Sequence, residues 1–198
     1  MNAGQDGGVR ASPTLGQFLS IVFSRPTGEL VDLGPVVGAN IAFVGERIGC
    51  KIHVEDLYAD LDRHARDGEL DRFAEYLGRR FRLVDETIDA AMSWDIFDYL
   101  SPPAATVLAR ELIRLLRPGG ALLGFFGGGG LEEGRYTKYV IEDETHLRPR
   151  GYATAACGRS RILENRDIYA LFPGLEVASS VLLRSGVREV LFRKPKTR

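Results

Sequence analysis

Apolar positions along this chain alternate between short runs with strand spacing and longer stretches with helical spacing. Ser12 or Thr14 can cap a first helix whose Leu15, Phe18, Leu19, Val22 and Phe23 share one face, and Pro26-Thr27-Gly28 ends it. Glu29 to Leu33 reads as a short buried strand. A turn loosened by Gly34 and Gly38 follows it, then an amphipathic helix from Ile41 that stops near Gly49. Cys50 to Glu55 is a second strand. Leu57 to Gly78 is charged with helical spacing, its Leu57, Leu61, Leu70, Phe73 and Leu77 apolar, and Phe81 to Val84 reads as a short third strand. Thr87 to Ser93 is a strand of small residues that must be buried. Pro102-Pro103 opens the clearest helix, with Ala105, Leu108, Leu112, Leu115 and Leu116 on its apolar face and Arg117-Pro118-Gly119-Gly120 as its stop.

Ala121 to Phe126 is another buried strand, and Gly127 to Gly130 a flexible run. Tyr136 to Ile141 and Leu147 to Thr154 have the spacing of an inserted hairpin. Asn165 to Leu171 is a short helix ended by Pro173-Gly174. Glu176 to Leu183 and Val187 to Arg193 form an antiparallel pair across Arg184-Ser185-Gly186. The alternation predicts a doubly wound α/β domain, and the terminal pair makes its sheet mixed, with about seven strands in all. Residues 1–12 read as a disordered N-terminus and 13–198 as one domain, without repeats or a dividing linker.

Composition narrows the partners. At 198 residues, 44% hydrophobic and 27% charged, the chain has the make-up of a globular domain with a full core. A formal net charge of -1 offers no general attraction for nucleic acid or a membrane surface. No apolar run approaches the ~20 residues that span a bilayer. Met1 to Arg10, polar and rich in glycine, does not read as a signal peptide. Cys50 and Cys157 fit no metal spacing or disulfide framework, and neither His53 nor His64 has a metal partner at ligand spacing. The expectation is a cytoplasmic protein without a metal.

The chemistry concentrates on Val31-Asp32-Leu33-Gly34-Pro35-Val36-Val37-Gly38. A strand, a glycine turn and a helix N-terminus cradle nucleotide-like ligands, because helix N–H groups point outward and glycine admits close approach. A carboxylate ending the next strand, Glu55, can accept from ribose hydroxyls. This ordered set resembles the class I S-adenosylmethionine-dependent methyltransferase family. Asp32 and Gly34 resemble its first motif, and Glu55, 23 positions on, its ribose acid. Leu116 to Leu122 resembles its Pro-Gly-Gly turn, and Ile88-Asp89 with Ser93-Trp94-Asp95 its fourth strand. The resemblance covers Glu29 to Phe126 and, more loosely, Glu176 to Arg193. It implies S-adenosylmethionine as cofactor, held by Asp32, Gly34, Gly38 and Glu55, with Asp85 nearest the position that holds the adenine amino group and Trp94 beside the transferred group. Asp95 or His146 would be the base. Substrate recognition would fall to the insert that carries Tyr136, Tyr139, Glu142, Asp143 and His146, and the acceptor would be a small molecule or a protein.

Val36 departs from this pattern, since it stands where the family has its central glycine. A β-branched residue at a positive-φ position costs roughly 1–3 kcal/mol, and its side chain would enter the ligand's space. The alternative is therefore a catalytically degenerate methyltransferase fold acting as a binding or scaffold module. A homo-oligomer or a protein partner would suit exposed strands of the terminal hairpin. Arg159, Arg161 and Arg166 are close enough in sequence to receive an acidic partner, although solvation is their default.

Overall fold

The computed structural model describes residues 7–24, 28–127, 135–154, 158–159 and 163–196. In chain order the elements are β1 (Arg10–Ala11), α1 (Pro13–Phe23), β2 (Glu29–Asp32), α2 (Gly38–Ile48), β3 (Lys51–Val54), α3 (Leu57–Arg66), α4 (Phe73–Arg80), β4 (Ile88–Trp94), α5 (Pro102–Leu115), β5 (Leu116–Phe126), β6 (Arg135–Ile141), β7 (His146–Thr154), α6 (Asn165–Leu171), β8 (Glu176–Leu182) and β9 (Arg188–Arg193). Six strands form the main sheet in the order β3-β2-β4-β5-β9-β8. β3, β2, β4 and β5 run parallel, and β9 and β8 are antiparallel. The inserted hairpin does not join this sheet. β6 and β7 pair with β1 in a separate antiparallel sheet.

Helices cover both faces of the main sheet, as a doubly wound domain requires. α3, α4, α5 and α6 pack one face through Leu57, Phe73, Leu108, Leu112 and Ile168. α1, α2 and the small sheet pack the other through Phe18, Val22, Val44, Tyr139 and Leu147. No described helix is long and apolar enough to cross a membrane.

Three expectations need correction. Phe81 to Val84 is not a strand, so β3 is the edge of the main sheet. Arg114 of α5 donates to the carbonyls of Leu83 at 3.1 Å and Phe81 at 3.4 Å, which satisfies backbone acceptors that a ladder would otherwise claim. The helix expected over Leu57 to Gly78 breaks at Gly68, whose φ of 72° reverses the chain before α4. The third concerns the N-terminus: Arg10 and Ala11 pair with Leu147 and His146, so regular structure begins before the expected boundary at residue 12. Gly128 to Gly130, Cys157 and Arg161 lie outside the described residues.

The start of α1 is tied down by a buried carboxylate on β9. One Glu189 oxygen accepts from Ser12 Oγ at 3.0 Å, Thr14 Oγ1 at 2.7 Å and the Thr14 backbone N–H at 3.3 Å. A negative charge at a helix N-terminus meets free N–H groups and the positive end of the dipole. Glu189→Ala leaves both hydroxyls without their acceptor, and the expected loss is on the order of 2–3 kcal/mol in urea unfolding. A loss under about 0.5 kcal/mol, the size of an ordinary surface change, would show that the anchor is not structural.

Candidate functional site

β2 has β3 on one side and β4 on the other, so the C-terminal ends of β2 and β4 flank the switch point where open α/β sheets place ligands. Asp32, the last residue of β2, is buried there. Its Oδ1 accepts from the Gly34 N–H at 2.9 Å and from Trp94 Nε1 of β4 at 2.6 Å. Burial raises its pKa to about 6, against the pull of these two donors. The indole sits close against the glycine turn: a Cβ on Gly34 would sit 2.7 Å from Trp94 Cδ1 and Nε1. Trp94 reaches this place with a φ of 49°, a left-handed conformation that bulky residues rarely take.

The strain expected at Val36 is therefore absent there and present at Trp94. Val36 is not among the positive-φ residues, and its side chain is 63% exposed. Val36 leaves the cradle free, and Trp94 fills its floor. α2 begins at Gly38, earlier than expected, and a Cβ on Gly38 would meet nothing within 4 Å.

β6 lies across the sheet's C-terminal edge. Tyr139 stacks on Trp94, with centroids 5.2 Å apart and planes 10° from parallel, and Phe125 meets both edge-on. Asn40 in the first turn of α2 clamps β6 by donating to the Tyr139 carbonyl at 2.9 Å and accepting from the Ile141 N–H at 2.8 Å. On the other face Tyr136 packs edge-on against Tyr58 and Tyr99.

Below these rings sit two buried acids. Tyr58 donates to Asp95 Oδ1 at 2.5 Å, and Arg159 Nη2 lies 3.5 Å from Asp95 Oδ2. Asp98, one turn further, accepts from the Gly127 N–H at 3.3 Å through Oδ1. Its Oδ2 has no hydrogen-bond partner, with Arg159 Nη1 at 3.7 Å. Burial, then the charge of Asp95, pushes the Asp98 pKa up to about 7, and burial also raises that of Asp95. One guanidinium faces two carboxyls, so the pair retains a proton near neutrality.

The remaining expected site residues lie elsewhere. Glu55 ends the second strand as predicted, but Arg80 Nη1 holds its Oε2 at 2.6 Å, and the neighbouring Asp56 caps α3 by accepting from the Ala59 N–H. Asp85 precedes β4, at the sheet edge opposite Asp32, and pairs with Arg114 of α5 at 2.5 Å. It cannot serve an adenine at the C-terminal edge. His146 belongs to the turn between β6 and β7, where Asp143 and Thr145 are its partners, and it does not join Asp95. Asp98 and Tyr58 escaped the sequence reading. The Asp95-x-x-Asp98 spacing was their available signal, since one 3-10 turn (Ile96–Tyr99) brings both acids to the same side. Arg159 answers these acids of its own chain, where the sequence suggested an acidic partner.

No family model matches the chain, and no curated protein sequence does either. Solved structures do share the fold. A Burkholderia thailandensis 1,6-didemethyltoxoflavin-N1-methyltransferase, bound to that substrate and S-adenosylhomocysteine, superposes with a TM-score of 0.53 at 15% identity over 93% of this chain and 78% of its own. An S-adenosylmethionine-dependent methyltransferase from Mesorhizobium loti gives 0.53 at 14% identity over 91% and 96%. The [4+2]-cyclase SpnF gives 0.56 at 16% identity over 93% and 81%. The fold is that of class I S-adenosylmethionine-dependent methyltransferases. At these identities the likeness concerns architecture alone.

As arranged, several groups that would face the cofactor this fold carries elsewhere already have partners within the chain. The indole N–H takes Asp32 Oδ1, the indole Cδ1–Nε1 edge crowds Gly34, and Arg80 engages Glu55.

The Asp98 carboxyl gives a pH signature. Its raised folded pKa means that it keeps a proton the unfolded chain releases near pH 4, so stability is lost as pH rises from there through about 7. Asp98→Asn removes that loss. The variant should match the wild type near pH 4 and exceed it at pH 8 by on the order of 1–3 kcal/mol in thermal unfolding. A difference that does not change with pH would contradict this assignment. Asp32 is common to both proteins and cancels.

Proposed function

We propose that this chain is a methyltransferase fold that has given up methyl transfer and works as a binding module. The hydrogen bond from Trp94 Nε1 to Asp32 Oδ1 across the switch point carries this reading. One oxygen of the side chain that a ligand's amino acid tail would address, Asp32 Oδ1, already accepts two hydrogen bonds from the protein itself. Reopening the cradle means breaking a bond to a buried acid, worth about 1.5–3 kcal/mol when the acid is charged, and an aromatic stack worth about 0.5–1.5 kcal/mol. The combined cost of roughly 2–4.5 kcal/mol weakens any cofactor by a factor of about 30 to 2,000. Loss of methyl transfer need not mean loss of the fold's use, since SpnF is described as a [4+2]-cyclase. A cytoplasmic setting belongs to the same proposal. So does a protein partner or second copy at β8, an edge strand with Val177 and Leu182 exposed.

A second reading, an S-adenosylmethionine-dependent methyltransferase of unknown acceptor, is favoured by the open start of α2 at Gly38 and by Glu55 at its strand end. It requires Trp94 to swing out before the cofactor enters. Asp95 would then be its base, but Asp95 is buried and bonded to Tyr58.

Calorimetry separates the two. The wild type should give no binding heat with S-adenosylhomocysteine or S-adenosylmethionine at millimolar concentration, and Trp94→Ala should gain measurable affinity for both. Methyl transfer from labelled S-adenosylmethionine by the unaltered protein, or micromolar binding of either ligand to it, would overturn the proposal in favour of the second reading.

A further inference from the structure

The segment that fails to add a strand beyond β3 carries Arg79-Arg80-Phe81-Arg82 at the C-terminal end of α4. With Glu55 and Tyr76, its three arginines line a cavity of about 430 Å³. That volume lies in the range of small-molecule sites and is far more than a lone inorganic anion fills.

The lining itself carries three guanidiniums and one carboxylate, Glu55. Arg80 is committed, because Nη1 holds Glu55 at 2.6 Å and Nε holds Asp60 at 3.0 Å. These two carboxylates fix its guanidinium in place. Arg79 pairs with Glu75 at 2.7 Å, but both side chains are well exposed and such a pair contributes little. Arg82 has no ion pair or hydrogen bond among the described residues. Two guanidiniums of the lining are thus available, beside a third that is locked. Guanidinium groups match phosphate oxygens in geometry as well as charge. Tyr76, stacked on Phe73 with centroids 5.7 Å apart, gives the cavity a rigid aromatic wall.

We infer that this cavity binds a small organic phosphate, with Arg79 and Arg82 on the phosphate and the organic part against Tyr76. The site shares Glu55 with the ribose end of the cradle, but neither Asp32 nor Trp94 lines it, so it does not depend on whether Trp94 opens the switch point.

Phenyl phosphate and inorganic phosphate, titrated into the full chain by calorimetry at low salt, test the inference. Phenyl phosphate should bind saturably in the low-millimolar range or tighter, more strongly than inorganic phosphate, and more weakly as salt is added. Arg82→Gln and Arg79→Gln should each weaken it roughly tenfold, as expected for losing one charge-assisted contact. Arg110→Gln, an exposed arginine on α5, should not. No saturable binding to the wild type, or equal binding by Arg79→Gln, Arg82→Gln and the wild type, would overturn the site and leave these arginines as solvated cations at a helix C-terminus. Inorganic phosphate binding as tightly as phenyl phosphate would overturn the role of Tyr76 and the organic ligand class. S-adenosylhomocysteine titrated separately reports on the cradle, so failure of one reading is not failure of the other.

Discussion

A carboxylate buried between two parallel strands must be given donors, and in this molecule that demand falls on Asp32. Burial pushes its pKa up, and the two donors pull against that rise. The Gly34 N–H supplies one donor from its own turn, and the other comes across the switch point from Trp94. The indole can only reach by lying on the turn, so position 34 has no room for a side chain. It also requires a positive φ at Trp94, which costs about 1–2 kcal/mol for a residue with a Cβ. Tyr139 then stacks on the exposed indole face, and Asn40 fixes Tyr139's strand to α2. Geometry at one acid thus sets where the small sheet docks.

The other buried acids meet the same demand in different ways. Glu189 is satisfied by two hydroxyls and a helix N-terminus, Glu55 by an arginine, and Asp95 by a tyrosine with a more distant arginine. Asp98 is the exception, with one oxygen that finds no donor. An oxygen of that kind is tolerable when it carries a proton, and the upward shift of its pKa is the expected response to burial beside Asp95. The cluster can hold and release a proton near neutrality, but Tyr58, Tyr99 and Tyr136 enclose it.

Wherever packing follows from local pattern, the sequence was legible. The alternation from Glu29 to Phe126 and the terminal hairpin identify the doubly wound sheet. Phe81 to Val84 misled because its apolar spacing suits a strand as well as a tucked loop, and Arg114, thirty-odd residues away, decides between them. The glycine turn misled in the opposite direction. Val36 broke the expected pattern and suggested strain, yet the backbone rotates that side chain into solvent. The residue that does alter the site was read as substrate-facing, because a side chain's choice of rotamer is a tertiary matter that no spacing encodes. Asp85 and His146 were assigned by proximity in sequence to the right elements, but Asp85 precedes β4 at the opposite sheet edge and pairs with Arg114, and His146 is held by Asp143 within its own hairpin turn.

The position of Trp94 also explains how such a site can close with few sequence changes. A soluble cofactor gives up translational and rotational freedom on binding, whereas a side chain on β4 has given it up already through folding. A tethered group therefore competes at a high effective concentration, and the contacts it needs are correspondingly modest. One hydrogen bond and one stacked ring suffice to hold the indole in place even against backbone strain of comparable size. The rest of the cradle can stay as it was, which is why Gly38 still opens onto free space and Glu55 still ends its strand. A first motif that looks largely intact and a site that is occupied from within are compatible, because the motif describes the vessel and a single large residue from the neighbouring strand decides what fills it.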